Sequence, residues 1–159
     1  AMFKIIDEVA PYVDSIGLTG LGEPLIYKKL QEALLYVKSK NKGIQTSVST
    51  NAHIPMTNEY LSKIIPHLDQ IQISIDGIGE VYEKVRQKGN YEFFLKNLQK
   101  IKDVCDKHNV SMLFNFTIVE ENFRQMPEIL DLANEYGVQY VNLNPNKCSS
   151  RYHFKQRIL

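Results

Sequence analysis

The sequence predicts an α/β fold of parallel strands with about five βα units, either a doubly wound sheet or part of a (β/α) barrel. Three observations carry this reading. Short runs rich in Val, Ile, Thr and aromatic residues alternate with helix-like runs along the 159 residues. No hairpin signal joins any two strand-like runs, so parallel strands with helical crossovers are expected. Polar residues and glycines collect at the carboxyl end of each strand-like run, the rim where α/β folds keep their ligands. A complete eight-fold barrel needs about 200 residues or more, so this chain can hold only part of one. No GxGxxG spacing is present, which argues against a dinucleotide-binding half.

The elements follow in order. Met2 to Val13 reads as a short helix, and Ser15 to Gly20 as the first strand. That strand runs into Gly20-Leu21-Gly22-Glu23-Pro24, where glycine permits positive φ and lets a ligand touch main-chain groups. Pro24 suits the first turn of the following helix, Tyr27 to Ser39, which Asn41-Lys42-Gly43 brings to an end. Ile44 to Thr50 and Gln70 to Ile75 read as buried strands, flanking a helix over Asn58 to Ile65. Tyr91 to His108 places Phe94, Leu95, Leu98, Ile101 and Cys105 on one stripe, with Asn90 as its N-cap. Val110 to Val119, a helix from Gln125 to Tyr136 stopped by Gly137, and Tyr140 to Asn144 complete the ladder. Residues 1–146 form the core, and 147–159 a basic, aromatic tail leading towards an absent downstream region. The opening helix has no strand before it, so a preceding strand is expected outside this chain. Ser15 to Gly20 then becomes an edge that can pair with a second copy as a homodimer, or be covered by the first helix.

Bulk composition narrows the partners. Lys+Arg 19 against Asp+Glu 18 leaves a net charge of +1, which favours neither nucleic acid nor an anionic membrane. No apolar run is long enough to span a bilayer. Two cysteines make no disulfide framework, so a reducing, cytoplasmic setting is the default. Cys105 reads as a small buried hydrophobe and Cys148 as an exposed thiol in the polar tail. His53 stands alone at a strand end and lacks the second ligand a metal would need. The rim also lacks a nucleophile–base pair, so no catalytic residue is assigned.

The rim residues, taken in order, resemble the radical S-adenosylmethionine (radical SAM) superfamily. Thr19-Gly20-Leu21-Gly22-Glu23-Pro24 follows one strand, Ser49-Thr50-Asn51 the next, and Ser74-Ile75-Asp76-Gly77 the third. Tyr82-x-x-x-Arg86-x-x-Gly89 precedes the long helix, and Asn115-Phe116-Thr117 with Asn122 continues the likeness. The layout is most similar to SPASM-type members, which modify peptides or proteins and carry an auxiliary-cluster domain downstream.

The resemblance implies a partial (β/α) TIM-type barrel, and an enzyme that cleaves S-adenosylmethionine reductively on a 4Fe-4S cluster, generating an adenosyl radical for hydrogen abstraction. It implies that Gly20, Leu21, Gly22 and Glu23 meet the methionine amino group. Thr50, Asn51, Ser74 and Asp76 would meet the carboxylate and ribose, Arg86 the carboxylate, and Asn115 and Thr117 the nucleoside. The partners implied are this small-molecule cofactor and a peptide or protein substrate. The family's cluster-binding CxxxCxxC loop is missing, and Cys105 and Cys148 cannot replace three thiolates. The first, cluster-bearing strand is therefore expected to be missing too, and the chain alone to be inactive. Ala52 stands where the family often has glycine, so a positive φ there would be strained.

Plainer readings exist for the same residues. Glu23 can complement a helix dipole, and Thr50 and Asn51 can simply shape a turn. Ser74, Asp76 and Gly77 make a turn by themselves, Arg86 can be a solvated charge, and Asn115 and Thr117 can satisfy one another. The alternative function is a non-catalytic, or differently catalytic, partial-barrel module binding a small metabolite.

Overall fold

A computed structural model describes residues 2–20 and 22–145. Leu21, Asn146, Cys148 and the tail from 147 to 159 lie outside the described residues. Five strands form one parallel sheet in the order β1-β2-β3-β4-β5, curled into a half-barrel. They are β1 (Ser15–Gly17), β2 (Gln45–Thr50), β3 (Gln70–Ser74), β4 (Ser111–Ile118) and β5 (Tyr140–Pro145). The helices are α1 (Met2–Val9), α2 (Leu30–Lys40), α3 (Asn58–Ile64), α4 (Glu80–Val85), α5 (Tyr91–His108) and α6 (Met126–Glu135).

Successive side chains of each strand point to opposite faces of the sheet. Val48, Ile71, Ile73, Ile75, Phe114 and Phe116 point under the helices and are fully buried. The opposite face carries Ser47, Ser49, Gln70, Gln72, Ser74 and Asn115, all only half-buried. These strands, expected to be buried, are fully so on one face, while on the other Leu113 is buried among half-buried polar residues. Helical crossovers cover only the outside of a half-barrel, so the concave side keeps polar residues.

The long helix shows why its sequence commits to helix. Phe94, Leu98, Ile101 and Cys105 recur at three- and four-residue steps on the buried side. The Asn90 side chain accepts from Phe93 N at 2.7 Å, and Asn109 ends the helix in the left-handed region. Thr57 caps α3 in the same way, accepting from Tyr60 N at 3.1 Å. Burial lifts the Cys105 thiol to about 12, with nearby Asp106 adding to the effect. It packs as an inert core group, as expected.

Some boundaries differ from the expectation. Pro24 opens a separate 3-10 turn, Pro24–Ile26, and α2 begins at Leu30 rather than Tyr27. The ladder of β1 stops at Gly17, although Leu18 N still donates to Ser47 O at 2.8 Å. The six-residue α4 was not anticipated, because it is too short to show a period. Gly77 precedes it at φ +152°, where an added Cβ would lie 2.8 Å from Tyr82 N. Among the described residues β1 pairs only with β2 and forms the sheet edge, and its Ile16 packs with Ile6 and Ala10 of the N-terminal segment.

Two side chains fix the sheet where position matters. At the amino end of β2, Asp69 accepts from Lys38 Nζ (2.7 Å), Thr46 N (2.7 Å) and Thr46 Oγ1 (2.9 Å). At its carboxyl end Ala52 sits at φ +52° with no exposed surface, the strained conformation anticipated for a non-glycine residue. Asn97, fully buried on α5, donates through Nδ2 to Ala52 O and to Ile54 O, each at 2.9 Å. Those two bonds hold the turn in a conformation it would otherwise leave.

Partial burial works to raise the Asp69 pKa, but hydrogen bonds from Lys38 and Thr46 outweigh it and hold it below the usual 3.8. A lowered native pKa contributes stability above that value and loses it as the pH falls through the native pKa. Asp69→Asn should cost about 1–3 kcal/mol at pH 7, from lost hydrogen bonds to a charged group. In urea titrations the gap between the two proteins should narrow as the pH is taken below 3.8. Ala52→Val, which puts a β-branched residue at positive φ, should destabilise by about 1–3 kcal/mol in the same assay.

Candidate functional site

Parallel strands bring all their carboxyl ends to one rim, and the loop after β1 forms its first wall. A cleft of about 390 Å³ opens there, lined by Gly17, Thr19, Gly20, Gly22, Glu23 and Pro24 among others. An added Cβ at Gly20 or Gly22 would meet nothing within 4 Å, and Gly22 sits at φ +111°. The main chain of this loop therefore faces open space that a ligand can enter.

Glu23 ties that wall to the next strand. Its Oε1 accepts from Leu25 N at 3.2 Å and caps the 3-10 turn. Its Oε2 accepts from Asn51 N at 2.9 Å, across 28 residues of sequence. Among the described residues it has no cationic partner. The Tyr60 hydroxyl donates to Leu25 O and pins the same turn from α3. Both the structural and the ligand reading of Glu23 are open to one carboxylate, because two oxygens carry about four acceptor sites.

Beyond β2, the Thr50 side chain is 2% exposed and its hydroxyl accepts from Ala52 N at 3.0 Å. Asn51 Oδ1 accepts from His53 N at 2.8 Å. These are the turn roles noted in the sequence, and they leave the Thr50 side chain on the helix-covered face. The His53 ring packs edge-on against Phe93, with centroids 5.2 Å apart.

At the end of β3, Asp76 gathers a second group. Arg86 Nε and Nη2 converge on Asp76 Oδ2 at 2.9 and 2.8 Å, with side-chain exposures of 22% and 15% for Arg86 and Asp76. Arg86 is thus a half-buried, paired charge rather than a solvated one. Asp76 Oδ1 accepts from Thr117 N at 3.0 Å. The buried Asn122 donates through Nδ2 to Asp76 O (3.0 Å) and Thr117 O (2.8 Å), knotting β3 to β4. The Arg86 guanidinium carbon lies 5.7 Å from the centroid of the Tyr82 ring, one helical turn earlier. Tyr82 is fully buried, and burial raises its phenol above 10, so the supporting ring stays neutral.

Ser74 and Asn115 stand opposite each other on the concave face, and Thr117 lies two residues further along β4. Asn115 and Thr117 do not satisfy one another. The Asn115 side chain instead bonds Gln72 and Asn142 at 3.2 and 3.1 Å. The structure thus brings Gly20, Gly22, Glu23 and Asn51 together as one group. Asp76, Arg86 and Thr117 form a second, on the same rim. Asn97 and Gln72 were not among the residues marked in the sequence, and Asn122, noted there as part of the family likeness, takes its organising role from the bonds to Asp76 and Thr117. The alternation Gln70-x-Gln72-x-Ser74 is the sequence signal that could have marked Gln72.

The donor set fits a zwitterionic ligand. It offers an unpaired carboxylate for an ammonium group, open main-chain groups, and many neutral donors and acceptors. It does not fit an iron–sulfur cluster, which needs thiolates. Among the described residues no group of three or more His, Cys, Asp or Glu could hold a metal. Nor is any described helix long and apolar enough to cross a membrane.

Comparison with known proteins agrees with the geometry. The family model of the radical SAM superfamily matches residues 2–133. The chain is 31% identical over 139 residues to Fe-coproporphyrin III synthase of Methanosarcina barkeri, covering 86% of this chain and 33% of that protein. It is 29% identical over 133 residues to pre-heme d1 synthase of Dinoroseobacter shibae, covering 83% and 31%. It therefore spans about a third of the length of the curated relatives it matches. Among solved structures it resembles Streptococcus suis SuiB bound to its precursor peptide SuiA. That match has a TM-score of 0.69 and 18% identity, covering 90% of this chain and 31% of SuiB. SuiB bound to S-adenosylmethionine matches with a TM-score of 0.63 and 17% identity, covering 87% and 31%. With the family model covering most of its length, this chain belongs to the radical SAM superfamily.

Proposed function

We propose that this chain supplies the S-adenosylmethionine site of an enzyme that cleaves the cofactor reductively and abstracts hydrogen from a substrate. One observation carries the reading: an unpaired carboxylate, Glu23, held at the mouth of an open glycine loop by the main-chain amide of the neighbouring strand end. The Glu23 carboxylate and the main-chain carbonyls at Gly20, Leu21 and Gly22 would accept from the methionine ammonium group. Asn51, Ser74 and Asp76, with Thr50 through its main chain, would meet the carboxylate and ribose. Arg86, already paired with Asp76, would add a shared positive charge at that end. Asn115 and Thr117 would face the nucleoside from β4. S-adenosylmethionine, when bound and reduced, supplies the radical chemistry, while these residues bind and orient it. The described residues hold no ligands for a cluster, and none of them is assigned a role towards one.

Glu23→Gln keeps the cap acceptor and removes the charge. Its affinity for S-adenosylmethionine, measured by calorimetry, should fall about tenfold or more, the scale of one charge-assisted hydrogen bond. The new amide nitrogen cannot accept from Asn51 N, so the stability read from its urea midpoint should also fall by the scale of one hydrogen bond, about 1–2 kcal/mol, with the fold intact. Unchanged affinity with an intact fold would refute the assignment.

A further inference from the structure

Among the described residues only three buried side-chain polar atoms have no hydrogen-bond partner: His53 Nδ1, the Tyr82 hydroxyl and Asn97 Oδ1. All three side chains gather beneath the turn that follows β2. Asn97 brackets His53, since its Nδ2 donates to the carbonyls of Ala52 and Ile54 on either side, each at 2.9 Å. One turn earlier on α5, Phe93 meets the His53 ring at a centroid distance of 5.2 Å, and Phe94 meets the Tyr82 ring at 5.0 Å. The His53 and Tyr82 rings stand apart across a wider gap of 6.5 Å. Tyr91 lies 5.5 Å from the Tyr82 ring, and a Cβ added at Gly89 would lie 3.1 Å from Tyr82 Cε1. These neighbours hold the fully buried Tyr82 ring in place, so its hydroxyl cannot swing out to bulk water.

Donors and acceptors in this set do not balance by themselves. In a neutral imidazole protonated at Nε2, Nδ1 only accepts, and a carboxamide oxygen such as Asn97 Oδ1 only accepts. The Tyr82 hydroxyl brings one proton, which the nearby Arg86 guanidinium, a donor only, cannot take. One proton between two acceptors leaves one of them buried and unmet, whichever way the phenol turns. A water molecule supplies what is missing. It accepts from Tyr82 and donates to His53 Nδ1 and Asn97 Oδ1, the set of about three bonds that an internal water usually makes. A cation at this spot would stand beside the Arg86 guanidinium, and an anion would meet the lone pairs of His53 and Asn97. A small neutral ligand avoids both penalties.

We propose that Tyr82, His53 and Asn97 hold one internal water, which joins the turn after β2 to α4 behind the rim, with the His53 proton on Nε2. Relaxation dispersion of water ¹⁷O counts such long-lived waters directly. It needs no cofactor, so its outcome is independent of the S-adenosylmethionine reading. The chain is compared with Tyr82→Phe and His53→Phe, each of which keeps a ring and removes one polar partner, and ¹⁵N correlation spectra show whether each variant is folded. Each folded variant should lose a dispersion amplitude equal to one ordered water oxygen. An amplitude unchanged in either folded variant overturns the proposal. The parent chain decides the matter even where a variant fails to fold. Its Asn97 Nδ2 protons should show cross-peaks to the water line, of opposite sign in NOE and ROE spectra, and their absence overturns the proposal. So does a His53 Nδ1 that long-range ¹H–¹⁵N spectra find protonated in the neutral ring.

Discussion

Five parallel strands with every helix on one side is the constraint from which the other features follow. A parallel pair cannot close through a two-residue turn, so each connection crosses over as a helix on the outer face. The core then lies between sheet and helices, where Ile71, Ile73, Phe94, Phe114 and Phe116 are fully buried. The same constraint sends every strand's carboxyl end to one rim and leaves the concave face free of helices. A floor of serine, threonine, asparagine and glutamine is what that exposure permits. Neither the rim nor the floor would exist in an antiparallel arrangement of the same segments.

A rim made of loops needs cross-ties to hold a shape, and here they are long-range side-chain bonds. Glu23 reaches Asn51, Asn97 reaches Ala52, and Asn122 reaches Asp76, each from more than 25 residues away in sequence. Each replaces backbone hydrogen bonds that a loop cannot make with a neighbouring strand. Asn97 acts most directly on geometry, because Ala52 adopts a conformation that alanine rarely takes unaided. Glu23 serves as a tie and, among the described residues, has no cationic partner, so the group that shapes the mouth of the cleft also carries a charge to it.

How much of this could be read in the sequence depends on the range of the interaction involved. The helix over Tyr91–His108 was legible from its stripe and its Asn90 cap, both local signals. The strand ladder and the clustering of Thr19, Ser74 and Asp76 at strand ends were legible for the same reason. The six-residue α4 was not, since fewer than two turns show no period. The start of α2 shifted to Leu30 because Pro24 closes a 3-10 turn under Glu23, a contact settled by Asn51 far along the chain. The strands were read as buried although Gln70, Gln72 and Ser74 alternate with isoleucine; composition outweighed period in that reading. Asp76 and Arg86 were both marked as ligand-facing, but their pairing with each other depends on how α4 folds back over β3. At the Leu21 position and in the tail beyond Pro145, the expectations concern residues that the structure does not describe.

Family membership narrows the chemistry, and the residues of the rim say how this chain would serve it. A carboxylate without a counter-ion among the described residues, an open glycine loop and neutral strand-end donors together suit a ligand carrying its own positive charge. The most direct test is a difference map of backbone amide shifts on adding S-adenosylmethionine to the isotope-labelled chain. The account predicts shifts confined to the strand carboxyl ends, around Gly20, Asn51, Ser74, Asp76 and Thr117. Shifts spread over the amino ends of the strands, or none at saturating cofactor, would contradict it.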